Sequence, residues 1–426
     1  MRIMEELAIG RLAEKDQDAI EEKMEKMMEE NEDPYSQEPT RSPLLIVHSD
    51  QPMNAEVPAV KLTENYLTPA DIFYIRHHHP VPLLKPDELK AFELEVDLSS
   101  FGKSLGGIIQ SKSSPATRKF TLDEIKKLPR VEVVATLQCS GNRRGDINKV
   151  KRTSGTSWEQ GAVSTAKWGG ARLIDVLKAA GLDDPYGVAD KDGTQKHVRF
   201  EALDGMKASI NMEKATNPFG DVIVAYEMNG EDLPREHGYP LRVIVPGFAA
   251  VRNVKWVHKI ELAESESEGA WQRGLNYKTL PPNVTDANSV NLSKMPSMTE
   301  ASVFSGITKI VGTQGKLKPG EKVKVRARGW AWAGGGRNIV RVDVTGDGGE
   351  SWSSADIVEG SDQKFGRAWA WIFWECEISA VIGKDGYVEL ASKAVDMAFN
   401  IQPESPCWNV RGLGNNSWYR KRAKIY

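Results

Sequence analysis

One cysteine followed closely by two arginines is the part of this sequence best suited to chemistry. Cys139 comes directly after the apolar run 131–136 and precedes Arg143 and Arg144. A thiolate binds soft or high-valent metals, and neighbouring cations favour the deprotonated sulfur. Guanidinium groups also hold oxyanions through bidentate, charge-assisted hydrogen bonds. The pattern therefore indicates a metal centre that acts on an oxyanion.

The same residues also have a simpler structural explanation. A lone cysteine after a strand is more often a small buried apolar residue than a ligand. An isolated arginine is more often a surface or ion-pairing residue. The sequence on either side of Cys139 decides between the two interpretations.

Several blocks of the chain, in a fixed order, resemble the sulfite oxidase family of molybdopterin enzymes. The resemblance spans residues 66–418. The blocks that carry it are 75–82 (IRHHHPVP), 137–144 (LQCSGNRR), 233–247 (LPREHGYPLRVIVPG), 252–256 (RNVKW), 271–278 (WQRGLNYK) and 408–412 (WNVRG). Several blocks in the family's order are far more specific than any one of them.

This resemblance implies oxidation of sulfite to sulfate by oxygen-atom transfer at a molybdenum–molybdopterin cofactor. It implies that Cys139 is the protein ligand of the metal. Sulfite is a compact dianion, and arginine supplies charge that it cannot lose by deprotonation. The residues implied to form the sulfite pocket are Arg76, Arg144 and Arg411, with Trp158 and Tyr277 lining it.

The resemblance implies a second set of residues around the cofactor. A pterin with a terminal phosphate needs cations and N–H donors for the phosphate, and carboxylate or imidazole partners for the ring nitrogens. The corresponding positions are His78, Asp204, His237, Arg242, Asn253, Val254 and Lys255. For His77 and His79 a structural role is the better interpretation.

The chain departs from the family's common pattern at His77 and Ser140, where relatives commonly have Asn and Ala. It contains no His-Pro-Gly-Gly haem motif, and the segment before residue 66 is too short for a cytochrome b5 domain. The resemblance is therefore to the haem-free, plant-type enzymes, with dioxygen or an external electron acceptor. The alternatives are a nitrate reductase-type molybdenum enzyme, which the arginine set disfavours, and a non-catalytic dimeric scaffold, which Cys139 disfavours.

The sequence patterns around these residues predict an α+β fold. Residues 1–65 are predicted to be a helical extension (1–33) followed by a linker (34–65), and residues 66–288 a molybdopterin-binding catalytic domain of mixed α and β structure. Alternating apolar residues over 92–98 predict a strand. Thr121 and Glu124 form a capping box that predicts a helix ending at Pro129. A second helix is predicted over 171–180.

Residues 289–426 have a different character and predict an immunoglobulin-like β-sandwich. Short apolar runs at 307–312, 323–328, 339–344 and 387–390 read as strands separated by glycine-rich turns. The glycines 334–336 precede no Lys-Ser/Thr pair and predict a turn instead of a phosphate loop. Because the family uses this domain for dimerisation, the resemblance implies a homodimer.

Composition excludes several other classes of protein. The chain has 426 residues and a formal net charge of −3, so there is no basic bias towards nucleic acid. No apolar stretch reaches the roughly 18 residues of a membrane span. Three cysteines, Cys139, Cys376 and Cys407, give no disulfide framework and fit the cytoplasm or another reducing intracellular compartment. Cys376 and Cys407 are expected to be packed thiols, and the C-terminal Lys-Ile-Tyr is not a peroxisomal tripeptide.

Overall fold

The computed structural model describes residues 33–99, 116–189, 195–286, 289–312 and 318–425. The helix predicted over 1–33 lies, apart from Asp33, outside the described residues. Within the described ranges, none of the helices combines the length and the apolar character that crossing a membrane would require.

The described residues between 46 and 263 contain thirteen strands and six short α-helices. The strands are β1 (Ile46–Asp50), β2 (Met53–Glu56), β3 (Ile75–Arg76), β4 (Glu93–Asp97), β5 (Thr117–Thr121), β6 (Arg130–Gln138), β7 (Val163–Arg172), β8 (His197–Ala202), β9 (Lys207–Asn211), β10 (Ile223–Met228), β11 (Glu231–Asp232), β12 (Arg242–Ile244) and β13 (Val257–Ala263). The helices are α1 (Pro86–Lys90), α2 (Leu122–Lys127), α3 (Arg144–Val150), α4 (Leu173–Ala179), α5 (Pro185–Ala189) and α6 (Met212–Thr216).

These strands form three sheets, and the second one carries Cys139. The first has the order β1-β2-β3, the second β11-β10-β7-β6 with β12 also paired to β10, and the third β5-β4-β13-β8-β9. In the second sheet β6 and β7 pair antiparallel along their whole length, ending with Gln138 opposite Val163. This register places Cys139 at the edge of a long, well-paired hairpin.

The local sequence patterns predicted two of these elements correctly. In β4, Leu94 and Val96 are completely buried, as the alternation requires. The Thr121 hydroxyl accepts a hydrogen bond from the Glu124 N–H (3.3 Å), and the Glu124 carboxylate accepts one from the Thr121 N–H (2.9 Å). Helix α2 then ends at Lys127. The capping box is therefore confirmed.

Two other elements differ from prediction because of long-range pairing. The predicted linker contains β1 and β2, and β2 pairs with β3 so that Asn54 lies opposite Arg76. The helix predicted over 171–180 begins only at Leu173, since β7 continues to Arg172, which pairs with Ile223 of β10. In both cases a partner strand supplies hydrogen bonds that no local pattern reveals.

The described residues from Val303 onwards contain the expected immunoglobulin-like sandwich. Its strands are β14 (Val303–Gly312), β15 (Lys322–Ala333), β16 (Ile339–Thr345), β17 (Ser353–Ser354), β18 (Asp356–Glu359), β19 (Ile372–Val381), β20 (Tyr387–Asp396) and β21 (Tyr419–Lys424). They form two four-stranded sheets, β14-β15-β19-β18 and β17-β16-β20-β21. Cys376 is buried in the apolar core between them, as predicted, whereas Cys407 is exposed, so its prediction as a packed thiol was wrong.

A tryptophan-rich core joins the sandwich to the sheet that carries Cys139. Trp158, Trp330 and Trp371 are completely buried in one apolar cluster that also includes Cys139. The Trp332 indole donates a hydrogen bond to the Gln138 side chain (2.6 Å). The sandwich therefore supports the residue next to Cys139.

Candidate active site

Cys139 lies at the wall of a cavity where β6 ends. Its N–H donates to the Ala162 carbonyl (3.0 Å), which extends the hairpin by one residue. Its sulfur accepts a hydrogen bond from the Gly141 N–H (3.4 Å). The side chain is 6% exposed and lines a cavity.

The turn after Cys139 brings Arg144 back towards the sulfur. Asn142 N–H bonds to the Cys139 carbonyl (2.9 Å), Arg143 has a left-handed φ of 61°, and α3 begins at Arg144. A Cβ atom on Gly141 would lie 2.5 Å from an Arg144 guanidinium nitrogen. A side chain at position 141 would therefore displace the Arg144 guanidinium, which lies directly against the backbone here.

Arg411 reaches the same place from the far end of the sequence. The Arg144 Nε donates to the Arg411 carbonyl (3.0 Å), and an Arg144 Nη donates to the Thr156 carbonyl (2.5 Å). The Arg411 guanidinium donates to the Ser154 hydroxyl (2.8 Å). Gly412 follows with a φ of 58°, and a Cβ there would lie 2.7 Å from Arg144. The 150–157 loop thus holds both arginines.

Arg76 and Tyr277 line the cavity near Arg144 and Arg411. Arg76 donates to the Asn54 side chain (3.0 Å) and to the His77 carbonyl, so β2 and β3 orient it. The Tyr277 hydroxyl lies 3.3 Å from His78 Nε2. Arg76, His78 and Tyr277 all line the cavity with Cys139.

Burial and mutual repulsion define the electrostatics of the arginines. Burial lowers the pKa of Arg144 to about 10; the Cys139 sulfur opposes this shift, whereas Arg411 and Arg76 add to it. Burial raises the pKa of Tyr277, against the opposing effect of the three arginines. With a pKa of about 10, Arg144 stays charged at neutral pH. Guanidinium groups that repel one another in this way favour an added anion between them.

The cavity is also lined by a second group of cations, Arg242 and Lys255. Arg242 donates to the His237 carbonyl (2.7 Å) and the Asn253 carbonyl (3.2 Å). Lys255 donates to the Glu236 carbonyl (3.2 Å), and the Asn253 amide oxygen accepts from the Val245 N–H (2.7 Å). The chain around β12 therefore positions these side chains through its backbone.

Burial shifts the protonation of this second group. It lowers the pKa of Lys255 to about 7, helped by Arg242, and the pKa of Arg242 to about 9. Burial also lowers the pKa of His237 to about 3 and that of His78 well below the usual range. Both imidazoles are therefore neutral hydrogen-bonding groups. An anion beside Lys255 would favour its charged form.

The residues around the cavity fit a molybdopterin with an anionic end. None of the cavity-lining residues in the described ranges is a carboxylate, while three of them, Arg76, Arg242 and Lys255, are cations. Ser140 Oγ and Arg242 Nε are buried without a protein hydrogen-bond partner in the described structure. Phe73, Tyr74 and Met206 provide apolar wall. Polar atoms left unpaired beside a cavity indicate a ligand that completes them.

Of the predicted site residues, a majority line this cavity and four do not. Those that line it are Cys139, Arg76, His78, His237, Arg242, Asn253, Val254, Lys255 and Tyr277. Arg144 lies against Gly141 and bonds the Arg411 carbonyl, and neither arginine is among the residues that line the cavity. Trp158 is completely buried in the tryptophan-rich core, and Asp204 pairs with His79 (3.3 Å).

Sequence reasoning missed several residues of the wall. Tyr74, Ser140, Met206 and Val251 line the cavity. Ser140 directly follows Cys139 and Tyr74 lies two residues before Arg76, so their position was a usable signal. Met206 and Val251 carry no chemical signal, because apolar wall residues look like core residues in sequence.

Comparison with known proteins agrees with this geometry. The family model described as the oxidoreductase molybdopterin binding domain matches residues 109–271, and the Mo-co oxidoreductase dimerisation domain matches residues 296–425. The chain is 41% identical to mitochondrial sulfite oxidase of Rattus norvegicus, covering 93% of this chain and 68% of that protein. It is 40% identical to sulfite oxidase of Arabidopsis thaliana, covering 92% of this chain and 96% of that protein.

A solved structure shares the fold at lower sequence identity. The sulfane dehydrogenase SoxCD from Paracoccus pantotrophus superimposes with a TM-score of 0.64 at 23% identity, covering 92% of this chain and 87% of that chain. The chain belongs to the sulfite oxidase family of molybdopterin-binding oxidoreductases. It is thus a molybdenum oxidoreductase followed by a dimerisation domain.

Proposed function

We propose that this enzyme oxidises sulfite to sulfate at a molybdopterin-bound molybdenum whose protein ligand is Cys139. The observation that carries the proposal is geometric: the Arg144 guanidinium lies against Gly141, two residues after Cys139, and bonds the Arg411 carbonyl, while Arg76 lines the same cavity as Cys139. A compact dianion offsets their mutual repulsion. The sulfite oxidase relatives support the same choice of substrate.

The chain's own groups bind and orient the substrate. The cofactor, when bound, supplies the oxygen-atom transfer and takes up the two electrons released. The arginines hold the sulfite oxygens through N–H donors and stabilise negative charge in the transition state. The Tyr277 hydroxyl, close to neutral His78, adds a donor at the same wall. Overall, sulfite and water give sulfate, two protons and two electrons.

Binding of the cofactor itself is assigned to the second group of cations. Lys255 and Arg242 would face the anionic end of the pterin, and His78, His237 and the Asn253–Val254 backbone its ring. Buried unpaired Arg242 Nε supports this assignment. We assign Asp204 an indirect role through His79, and Trp158 a supporting role beneath the 150–157 loop.

We further propose a haem-free enzyme in a reducing intracellular compartment that passes its electrons to dioxygen or an external acceptor. Cys407, exposed and unpaired with another cysteine, supports the reducing compartment. If dioxygen is the acceptor, each sulfite consumed yields one hydrogen peroxide. An absorption spectrum with a haem Soret band would contradict the haem-free part alone.

The decisive experiment compares sulfite and nitrate turnover of protein with a measured molybdenum content. We expect one molybdenum per chain, turnover of sulfite with ferricyanide or dioxygen, and negligible reduction of nitrate. Fully loaded protein that reduces nitrate and leaves sulfite unchanged would overturn the proposal. Cys139→Ser protein provides the matched control, since a hard oxygen ligand should abolish turnover.

A further inference from the structure

A short loop between β11 and β12 supports the cations that face the cofactor. It contains a single 3-10 turn, Arg235–His237. The Glu236 carbonyl accepts hydrogen bonds from Lys255 Nζ and His77 Nε2, both at 3.2 Å. The His237 carbonyl accepts one from Arg242 (2.7 Å). Any displacement of this loop would therefore move Lys255 and Arg242 together.

Residues 37–41, which we call the strap, hold this loop from outside the cavity. Arg41 Nε donates to the Glu236 carboxylate (2.8 Å). A second Arg41 nitrogen bonds to Glu38, whose other oxygen accepts from the Val81 N–H (2.7 Å). Arg235 in turn donates to the Gln37 carbonyl (2.5 Å). The strap thus contacts both the loop and the segment after Arg76.

The ion pair between the strap and the loop is largely removed from water. The Arg41 and Glu236 side chains are 12% and 9% exposed. Burial raises the pKa of Glu236, and its hydrogen bond from Arg41 acts against that shift. Without Arg41 the carboxylate would lose its hydrogen-bonded partner while largely buried, so it would either move towards water with the loop or take up a proton; both outcomes remove the bond that anchors the loop. The strap lies well before the region matched to the molybdopterin-binding domain, which begins at residue 109.

We propose that Arg41 is a positioning residue for cofactor retention: through Glu236 it holds the loop that places Lys255 and Arg242 against the anionic end of the pterin. This inference rests on the proposed cofactor site. It assigns a function to a segment that sequence alone identified as a linker. The strap supports the loop that carries Glu236 and His237 from outside the cavity and does not contact the cofactor.

The test measures cofactor release from folded holoenzyme. Arg41→Met, which keeps the length of the side chain, is compared with Arg41→Lys, which restores the charge. Molybdenum and pterin fluorescence are followed in the filtrate during incubation well below the unfolding temperature. We expect at least tenfold faster release from Arg41→Met, partial recovery in Arg41→Lys, and an unchanged circular dichroism spectrum.

Arg337→Met is the matched control for loss of a buried ion pair. Arg337 bonds Asp396 (2.8 Å), which is completely buried in the sandwich. This variant should lower the unfolding temperature and leave cofactor release at the wild-type rate. Wild-type release from Arg41→Met, or equally fast release from Arg337→Met, would overturn the proposal. Sulfite turnover is measured separately, so a loaded enzyme inactive towards sulfite contradicts only the proposed substrate.

Discussion

Replacement of Arg144 by Gln removes one of three guanidinium charges beside Cys139 and tests the anion site directly. Glutamine retains an amide donor that can still bond the Thr156 carbonyl, so the main loss is the charge. Arg144 is 5% exposed, which limits screening by water. Two unit charges about 4 Å apart attract by about 4 kcal/mol at an effective dielectric constant of about 20. Loss of one oxyanion donor in enzymes costs about 2.7–4 kcal/mol.

We therefore expect kcat/KM for sulfite to fall about 100- to 1000-fold in the Arg144→Gln variant. The assay is steady-state sulfite oxidation, normalised to molybdenum content and repeated at several salt concentrations. Arg144→Lys should be intermediate, because it keeps the charge and loses the planar pair of donors.

Arg152→Gln is the matched control for the loss of one positive charge. Arg152 is exposed on the same loop that holds Arg144. Its loss should change kcat/KM by no more than about twofold at physiological salt, where exposed charges are screened. A fully loaded Arg144→Gln enzyme whose kcat/KM stays within about threefold of wild type would refute the anion-site argument. A threefold change corresponds to a loss of about 0.7 kcal/mol in transition-state stabilisation, far below the expected loss.

Two further predictions concern stability and assembly. Burial lowers the pKa of His77 well below its usual value. Below about pH 6.5 the His77 imidazole therefore binds a proton in the unfolded chain and stays neutral in the folded one, which destabilises the folded protein as the pH falls. Between pH 7.5 and 5.5 the free energy of unfolding, measured with urea, should fall by about 1.4 kcal/mol more in wild type than in His77→Asn. Asn can still donate to the Glu236 carbonyl, and equal acid sensitivity of both proteins would contradict this. Phe365 and Phe399 are 84% and 80% exposed on the dimerisation domain. The Phe365→Glu/Phe399→Glu double variant should sediment as a monomer. Val150→Glu, a change at an exposed site on the other domain, should sediment as a dimer. A dimeric double variant would show that Phe365 and Phe399 do not form the dimer interface.

Patterns that act within a few residues were predictable. The Thr121–Glu124 capping box and the buried face of β4 follow from hydrogen bonds and side-chain alternation between near neighbours. The position of Cys139 after a strand, with Arg144 five residues on, belongs to the same class. Such features need no knowledge of the remaining chain.

Features that depend on distant partners were not predictable from local patterns. Residues 46–56 read as linker because their strands are completed only by pairing with β3. Cys407 was expected to pack and is exposed. Asp204 pairs with His79, a contact that no local pattern indicated. In each case the outcome depends on which groups compete for the same partner after packing.

The sequence by itself determined the reactive groups of this protein: a cysteine at a strand end, arginines of permanent charge and, through its ordered blocks, the family. Only the tertiary structure decided that Arg411, 267 residues from Arg144, lies against it, and that Arg41 holds the loop under Lys255. The physical reason is desolvation. The chemistry of a side chain is intrinsic, but its charge becomes effective only where packing excludes water, and that exclusion is a property of the whole fold.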